Sequence, residues 1–408
     1  MLLPLQQLRV CVIGLGYVGL LAAAILAAGG VRVRGVDAKA SVRETVGDGR
    51  VHIVGPDLDM LVRAGVQTEA LTVAAEPAPS DVFIICVPTP LTSEKRPDLS
   101  MLLAASETLA PYSEPGNLVV VESTIPPGTT EQVRDILLAG SGLPREELRV
   151  VHAPERVLPG SILREVIENS RIVGGVDAAS TEAGVTFYRQ FVTGEILACD
   201  ARTAETAKLA ENAFRDVNIA FANELSLICD QLGVAVKDVV GLANHHPRVN
   251  ILKPGPGVGG HCIAVDPYLL IDQAPGVSPL LQTARSVNLR KTQWVVERVR
   301  KVAAEMGART IACLGLAYKP NTDDLRESPA LTITRNLHAT EGLEILAVEP
   351  HLDDIEELTL VPLDEALARA DLIVGLVAHR VFRAIEPAAL SRCRWVDFAD
   401  AFPSVPAS

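Results

Sequence analysis

Residues 9–37 constrain the fold of this chain more than any other stretch. The run RVCVI (9–13) is short, apolar and bounded by glycine, which predicts a buried parallel strand. The turn GLGYVG (14–19) follows, an apolar helix is expected over 20–28, and VRVRGV (31–36) predicts a second strand ending in Asp37. A GxGxxG motif alone is weak, but here it leaves a strand, opens a helix and precedes an acid at the end of the next strand. That is the context of a dinucleotide-binding unit. Gly14 permits the tight turn, Gly16 lets backbone approach a pyrophosphate, and Gly19 lets helix and strand pack closely. The helix N-terminus offers unpaired N–H groups to the phosphates. Asp37 suits both adenosine ribose hydroxyls and repels a 2′-phosphate, which favours NAD over NADP.

The pattern continues. Apolar strands are predicted over 81–87 and 118–122, with Thr89 and Thr124 just past their carboxyl ends. Ligands gather there in parallel sheets, so both threonines are candidates for the nicotinamide half of a cofactor, or else helix N-caps. Residues 203–232 lack proline and Gly233 is placed to end a helix, which would reach about 45 Å. Lys208, Asn212 and Arg215 share one face of it, suited to an anionic ligand or to a solvated face paired with Glu205 and Glu211. The last third echoes the opening in strands over 309–315, 343–349 and 371–377, the second again ending in an acid. Its turn, GLAYKP (315–320), lacks the close-packing glycines, so this half is expected to bind something other than a dinucleotide, with Lys319 able to neutralise a phosphate. The fold class expected is α/β, two doubly wound Rossmann-like domains joined by a long central helix.

The 408 residues are enough for about two to three domains. Lys plus Arg is 37 against 50 Asp plus Glu, a net charge of −13, which argues against a nucleic-acid binder. The seven cysteines are scattered without CxxC spacing, which argues against a disulfide framework or zinc site and for a reducing compartment, the cytoplasm. No metal is expected. The uncharged stretch 10–31 is long enough to span a bilayer, but its glycines divide it into strand and helix, and no signal peptide or membrane role is expected.

The segment PGPGVGGHCIAVDP (254–267) carries the chemistry. Its glycines allow close backbone approach, and Cys262 directly after them is placed like a nucleophile. A helix starting at Cys262 would lower the thiol pKa through its dipole. NAD with a nucleophilic cysteine suggests aldehyde-to-acid oxidation through a thiohemiacetal and a thioester. If the same site first oxidises the alcohol, one substrate yields two NADH.

With RVLPG (156–160), NAFRDVNIAFANELSLIC (212–229), HPRVNILKPGPGVGGHCIAVDP (246–267) and RESPA (326–330), the chain resembles the UDP-glucose/GDP-mannose dehydrogenase family over essentially its whole length. The resemblance implies that Cys262 is the nucleophile and Lys208 the acid/base group, and that Asp266, Glu155 and Thr124, with Asn212, position water and the lysine. It implies cofactor contacts at Tyr17, Val18, Asp37, Thr89, Thr124 and Arg326, besides the turn glycines. Substrate contacts are implied at Arg156, Val157, Lys208, Asn212, Arg215, Tyr318 and Lys319, and at His246, Arg248 and Gly259 on a loop shared in a homodimer. The domains expected are 1–200 for NAD, 201–300 for dimerisation and the cysteine loop, and 301–408 for the UDP-sugar. The reaction implied is four-electron oxidation at C6 of a UDP-sugar, UDP-N-acetyl-D-mannosamine, with UDP-N-acetylglucosamine or UDP-glucose as alternatives. A two-electron hydroxyacid-type dehydrogenase and a non-catalytic nucleotide-sugar binder are the other classes. One departure stands out: the family's basic residue two after an Asp is Ala399 here, with Asp400 beside it.

Overall fold

The computed structural model describes residues 3–53, 58–156, 162–390 and 393–403. The chain divides into two compact units, one of residues 1–210 with 268–273 and one of residues 211–267 with 274–408.

The first unit is built on an eight-stranded sheet. Its strands are β1 (Arg9–Ile13), β2 (Arg32–Val36), β3 (Leu71–Ala74), β4 (Val82–Ile85), β5 (Leu118–Val121), β6 (Arg149–His152), β7 (Arg171–Gly175) and β8 (Ile196–Asp200). The order is β3-β2-β1-β4-β5-β6-β7-β8, parallel except between β6 and β7. Alternate strand residues serve different cores: Val10, Val12, Ile84 and Val120 face one, and Cys11, Ile13, Ile85 and Val121 face the other. Covered faces on both sides explain why these strands read as continuous apolar runs. The second unit holds the parallel sheet β10-β9-β11-β12, made of β9 (Thr310–Leu314), β10 (Glu344–Val348), β11 (Leu372–Gly375) and β12 (Arg394–Asp397). It has the same two-sided cores. The helix Ala201–Leu232 carries the chain from the first unit into the second and ends at Gly233, whose φ is +67°.

Two boundaries differ from the sequence reading by three residues or more. The first helix begins at Tyr17, three residues before the expected start, because the Gly16 carbonyl already accepts the Leu20 N–H at 2.9 Å. The helix after Cys262 begins only at Asp266 (Asp266–Gln273), because the intervening residues form a turn in which the Cys262 carbonyl accepts the N–H groups of Val265 and Asp266. The stretch 10–31 is strand and helix, and no helix among the described residues is long and apolar enough to cross a membrane.

The turn glycines separate by what surrounds them. Gly14 has φ +90°, and a Cβ at Gly19 would lie 1.8 Å from the Gly14 carbonyl oxygen, whereas a Cβ at Gly16 meets nothing within 4 Å. Gly19→Ala should therefore cost about 1–3 kcal/mol or more of stability through overpacking, and Gly16→Ala no more than about 1 kcal/mol. Urea denaturation of the two variants checks the contrast.

Candidate functional site

In the first unit the turn after β1 presents its N–H groups beside Asp37, which is half-buried. Asp37 accepts the Leu15 N–H on Oδ2 and the Lys39 N–H on Oδ1, both at 2.9 Å, so the carboxylate is held against the turn with lone pairs to spare. Open space over Gly16, the N-terminus of the first helix and an oriented carboxylate fit the pyrophosphate and ribose of NAD. Tyr17 and Val18 form that first turn. At the ends of β4 and β5, Thr89 and Thr124 meet: the Thr89 hydroxyl donates to the Thr124 carbonyl at 2.6 Å.

Glu155, just past β6, belongs to a buried ion cluster that the sequence reading missed. Arg171, the first residue of β7, reaches Glu155 Oε2 at 2.6 Å and Glu122 Oε1 at 3.2 Å. The Tyr188 hydroxyl donates to Glu122 at 2.7 Å, and the Cys86 thiol donates to it at 3.4 Å. Burial pushes the Glu122 carboxyl up, and Arg171 pulls it only part of the way back. Arg171 stays firmly charged: burial opposes the cation, but Glu155, Tyr188 and Glu122 outweigh it. The available signal was an arginine opening the otherwise apolar run of β7. The Arg156 N–H donates to Glu155 Oε1 at 2.6 Å, and Val157 lies outside the described residues.

Lys208 is buried on the helix Ala201–Leu232. Glu205 is not its surface partner: it is fully buried and accepts the Gly128 and Thr130 N–H groups and the Thr130 hydroxyl. His152, fully buried at the end of β6, hydrogen-bonds the Val121 carbonyl through Nδ1, while Nε2 has no partner among the described residues. Its pKa is pushed down to about 3, mainly by burial, with the Lys208 charge adding.

In the second unit Cys262 follows a loop shaped by backbone contact. A Cβ at Gly259 would meet the Glu327 carbonyl oxygen at 2.6 Å, and one at Gly260, where φ is +85°, would meet the Tyr318 ring at 2.7 Å. The Gly260 N–H donates to the Arg326 carbonyl at 2.9 Å. Arg326 is paired with Asp324 at 2.6 Å; that hydrogen bond chiefly raises its pKa, and Cys262 adds to the rise. The Tyr318 hydroxyl is pushed up by burial first, then by Asp324 and Cys262. Asp266 is buried, and its Oδ2 accepts the Asn212 amide at 2.5 Å. Asn212 thus ties the long helix to the turn that bears the cysteine. Arg215, His246 and Arg248 are exposed, and Lys319 is half-buried.

The second turn differs from the first in its acid. Gly315 has φ +93°, close to Gly14, and Glu349 accepts the Leu316 and Ala317 N–H groups as Asp37 accepts Leu15. But Glu349 also takes His379 Nε2 at 3.2 Å, and both side chains are fully buried. Glu349, His351 and His379 hold donor atoms within 4.8 Å of one another, the spacing of a metal group. Hydrogen bonds already engage Glu349 and His379, since His379 Nδ1 accepts the Asn321 N–H at 2.9 Å and Nε2 faces Glu349. At the departure near the C-terminus, Asp400 pairs with Lys237 and Lys253.

Three consecutive segments match one family's domains. Residues 8–192 match the NAD binding domain of the UDP-glucose/GDP-mannose dehydrogenase family, 202–290 its central domain and 312–398 its UDP binding domain. The chain belongs to this family. It is similar to the NDP-N-acetyl-D-galactosaminuronic acid dehydrogenase of Ralstonia nicotianae, at 49% identity over 92% of each chain. It is similar to the UDP-N-acetyl-D-mannosamine dehydrogenase of Campylobacter jejuni, at 45% identity over 92% of this chain and 96% of that one. The structure of the UDP-D-ManNAc dehydrogenase of Pyrococcus horikoshii superposes with a TM-score of 0.91 at 38% identity, covering 98% of this chain and 97% of that one. As a family member the chain is an NAD-dependent oxidoreductase acting on a nucleotide sugar.

Two predictions follow from the first unit's buried groups. Arg171→Met leaves two buried carboxylates without their cation and should cost about 3–5 kcal/mol, partly recovered by adding Glu122→Gln; denaturant unfolding reads both. His152 is held neutral when folded, so the unfolded chain takes up its proton first as pH falls. Its contribution to stability is whole above about 6.5 and is lost toward about 3. The parent should lose stability relative to His152→Met across that window in pH-dependent unfolding.

Proposed function

We propose that the chain oxidises the C6 hydroxyl of UDP-N-acetyl-D-mannosamine to the uronic acid, in two stages at one site. The observation that supports this reading best is Cys262 on a glycine loop, beside Tyr318 and Arg326, in a chain matching the family's NAD, central and UDP domains in order. NAD, when bound, takes up one hydride at each stage. The alcohol first becomes an aldehyde, its hydroxyl proton passing to the acid/base group, Lys208. Cys262 Sγ adds to the aldehyde carbon to give a thiohemiacetal, oxidation of which leaves a thioester. Water attacks the thioester carbonyl, the C–S bond breaks, and the acid leaves with the thiol restored. Glu155, Thr124 and Asp266 position the water and the lysine, and Asn212 holds Asp266 by its hydrogen bond.

Gly14, Gly16, Tyr17, Val18, Gly19, Asp37, Thr89, Thr124 and Arg326 serve NAD in this reading. Arg156, Val157, Lys208, Asn212, Arg215, Tyr318 and Lys319 serve the UDP-sugar, with His246, Arg248 and Gly259 on a loop shared by two subunits of a homodimer. An exposed apolar stripe on the long helix, Phe214, Phe221 and Ile228 at intervals of seven with Leu232 beyond, supports pairing with a second copy. The domains are taken as 1–200, 201–300 and 301–408, and the free cysteines are compatible with a cytoplasmic enzyme. The Ralstonia relative's name favours one second reading, an N-acetylgalactosamine nucleotide as substrate.

NADH absorbance with limiting sugar nucleotide tests the reading. UDP-N-acetyl-D-mannosamine should yield two NADH per molecule, and the galactosamine, glucosamine and glucose nucleotides much less. Two NADH from another sugar would move the substrate and keep the mechanism. Cys262→Ser should abolish uronate formation, and full turnover by that variant would sink the thioester route.

A further inference from the structure

The helix Ala201–Leu232 has a second face, set against the helix Pro279–Met306 in the second unit, and beside a small apolar cluster of Ala220, Ala284 and Val287 it carries a chain of buried amides. The chain starts at an ion pair, Arg285 to Asp216 Oδ1 at 2.6 Å, both buried. Asn288 Nδ2 donates to the same carboxylate oxygen at 2.8 Å. A carboxylate only accepts, so the Asn288 amide must turn its NH2 inward and its Oδ1 outward. Asn223 Nδ2 then donates to Asn288 Oδ1 at 2.9 Å, which leaves Asn223 Oδ1 as the outward acceptor. That oxygen receives the N–H of Gly255, the start of the glycine loop, at 2.9 Å. Asn223 and Asn288 are almost wholly buried, so a flipped amide would bury mismatched dipoles. One turn further along the second helix, the Thr292 hydroxyl donates to the Pro256 carbonyl at 3.0 Å, and Gly257 packs against that hydroxyl so closely that a Cβ would lie 2.4 Å from it.

We propose that Asn223 and Thr292 are positioning residues that fix the height and register of the glycine loop and, through it, the placement of Cys262. Asn223 holds the loop by an N–H and Thr292 by the next residue's carbonyl, so the loop is pinned from both polarities on one side. On the other side the Gly260 N–H is held by the Arg326 carbonyl. Charge fixed at Asp216 and Arg285 thus orients a loop two amides away. The inference rests on the reading of Cys262 as nucleophile.

The clean test is the Thr292→Val and Thr292→Ser pair, alongside Asn223→Ala. Each is assayed for NADH formation and for iodoacetamide alkylation of Cys262 by mass spectrometry of its peptide, with melting temperature as a fold control. Thr292→Val keeps the shape and loses the hydroxyl. It should lower kcat about ten- to a hundredfold and change the Cys262 alkylation rate, with KM for NAD unmoved. Thr292→Ser should restore both. Asn223→Ala should do the same as Thr292→Val or more. Parent-like kcat and alkylation in Thr292→Val would overturn the proposal, as would a Thr292→Ser variant no better than Thr292→Val. If Cys262→Ser kept full turnover, the nucleophile reading would fail, while the alkylation rates would still report whether the two tethers set the loop.

Discussion

A Cβ at Gly19 would sit 1.8 Å from the Gly14 carbonyl oxygen, and one at Gly259 would sit 2.6 Å from the Glu327 carbonyl oxygen. Backbone lying against backbone, with no room for a side chain, shapes the candidate sites of both units. In the first unit the contact brings the start of the helix down onto the turn after β1. In the second it brings the loop onto the segment 318–329 and leaves the cysteine after it beside a tyrosine and an arginine. The cores are close-packed apolar side chains, tolerant of volume-conserving change; at these glycines the smallest addition collides with backbone.

The two Rossmann-like sheets show how one topology is given two uses. Each first turn carries a glycine at φ near +90°, and each second strand ends in an acid that accepts N–H groups from the turn. Asp37 stays half-buried and keeps acceptor capacity for a ligand. Glu349 is longer, reaches two N–H groups and is capped by buried His379; these bonds hold its carboxyl below the usual range although burial alone would raise it. A carboxylate so occupied is a structural strut, and the physical reason is hydrogen-bond saturation rather than any change in strand order.

Buried polar groups give each unit its specificity of arrangement. The first unit sets one guanidinium between two carboxylates, and the second sets an ion pair at the head of a chain of amides. Such networks contribute little net stability compared with an apolar core of the same shape, but they tolerate only one arrangement, because each misplaced donor is left unpaired in a low-dielectric interior. They lie next to Glu155 and to the cysteine loop, where placement counts most.

Much of this was legible in the chain itself. Strand–turn–helix order, the acid after the second strand, the long helix ending at Gly233 and the glycine run before Cys262 all follow from local chemistry, since period, glycine and charge act within a few residues. The resemblance motifs likewise named Lys208, Asn212 and Asp266, though not that the Asn212 amide binds Asp266. Arg171, Glu122 and Asn223 could not be read this way. Arg171 looks like one more charge at a strand end, and Asn223 like a polar residue on a solvated helix face. Only the tertiary structure decided that both are buried, because their partners lie 16 to 65 residues away in sequence. A hydrogen bond is defined by where two atoms meet, and sequence neighbours do not set that distance.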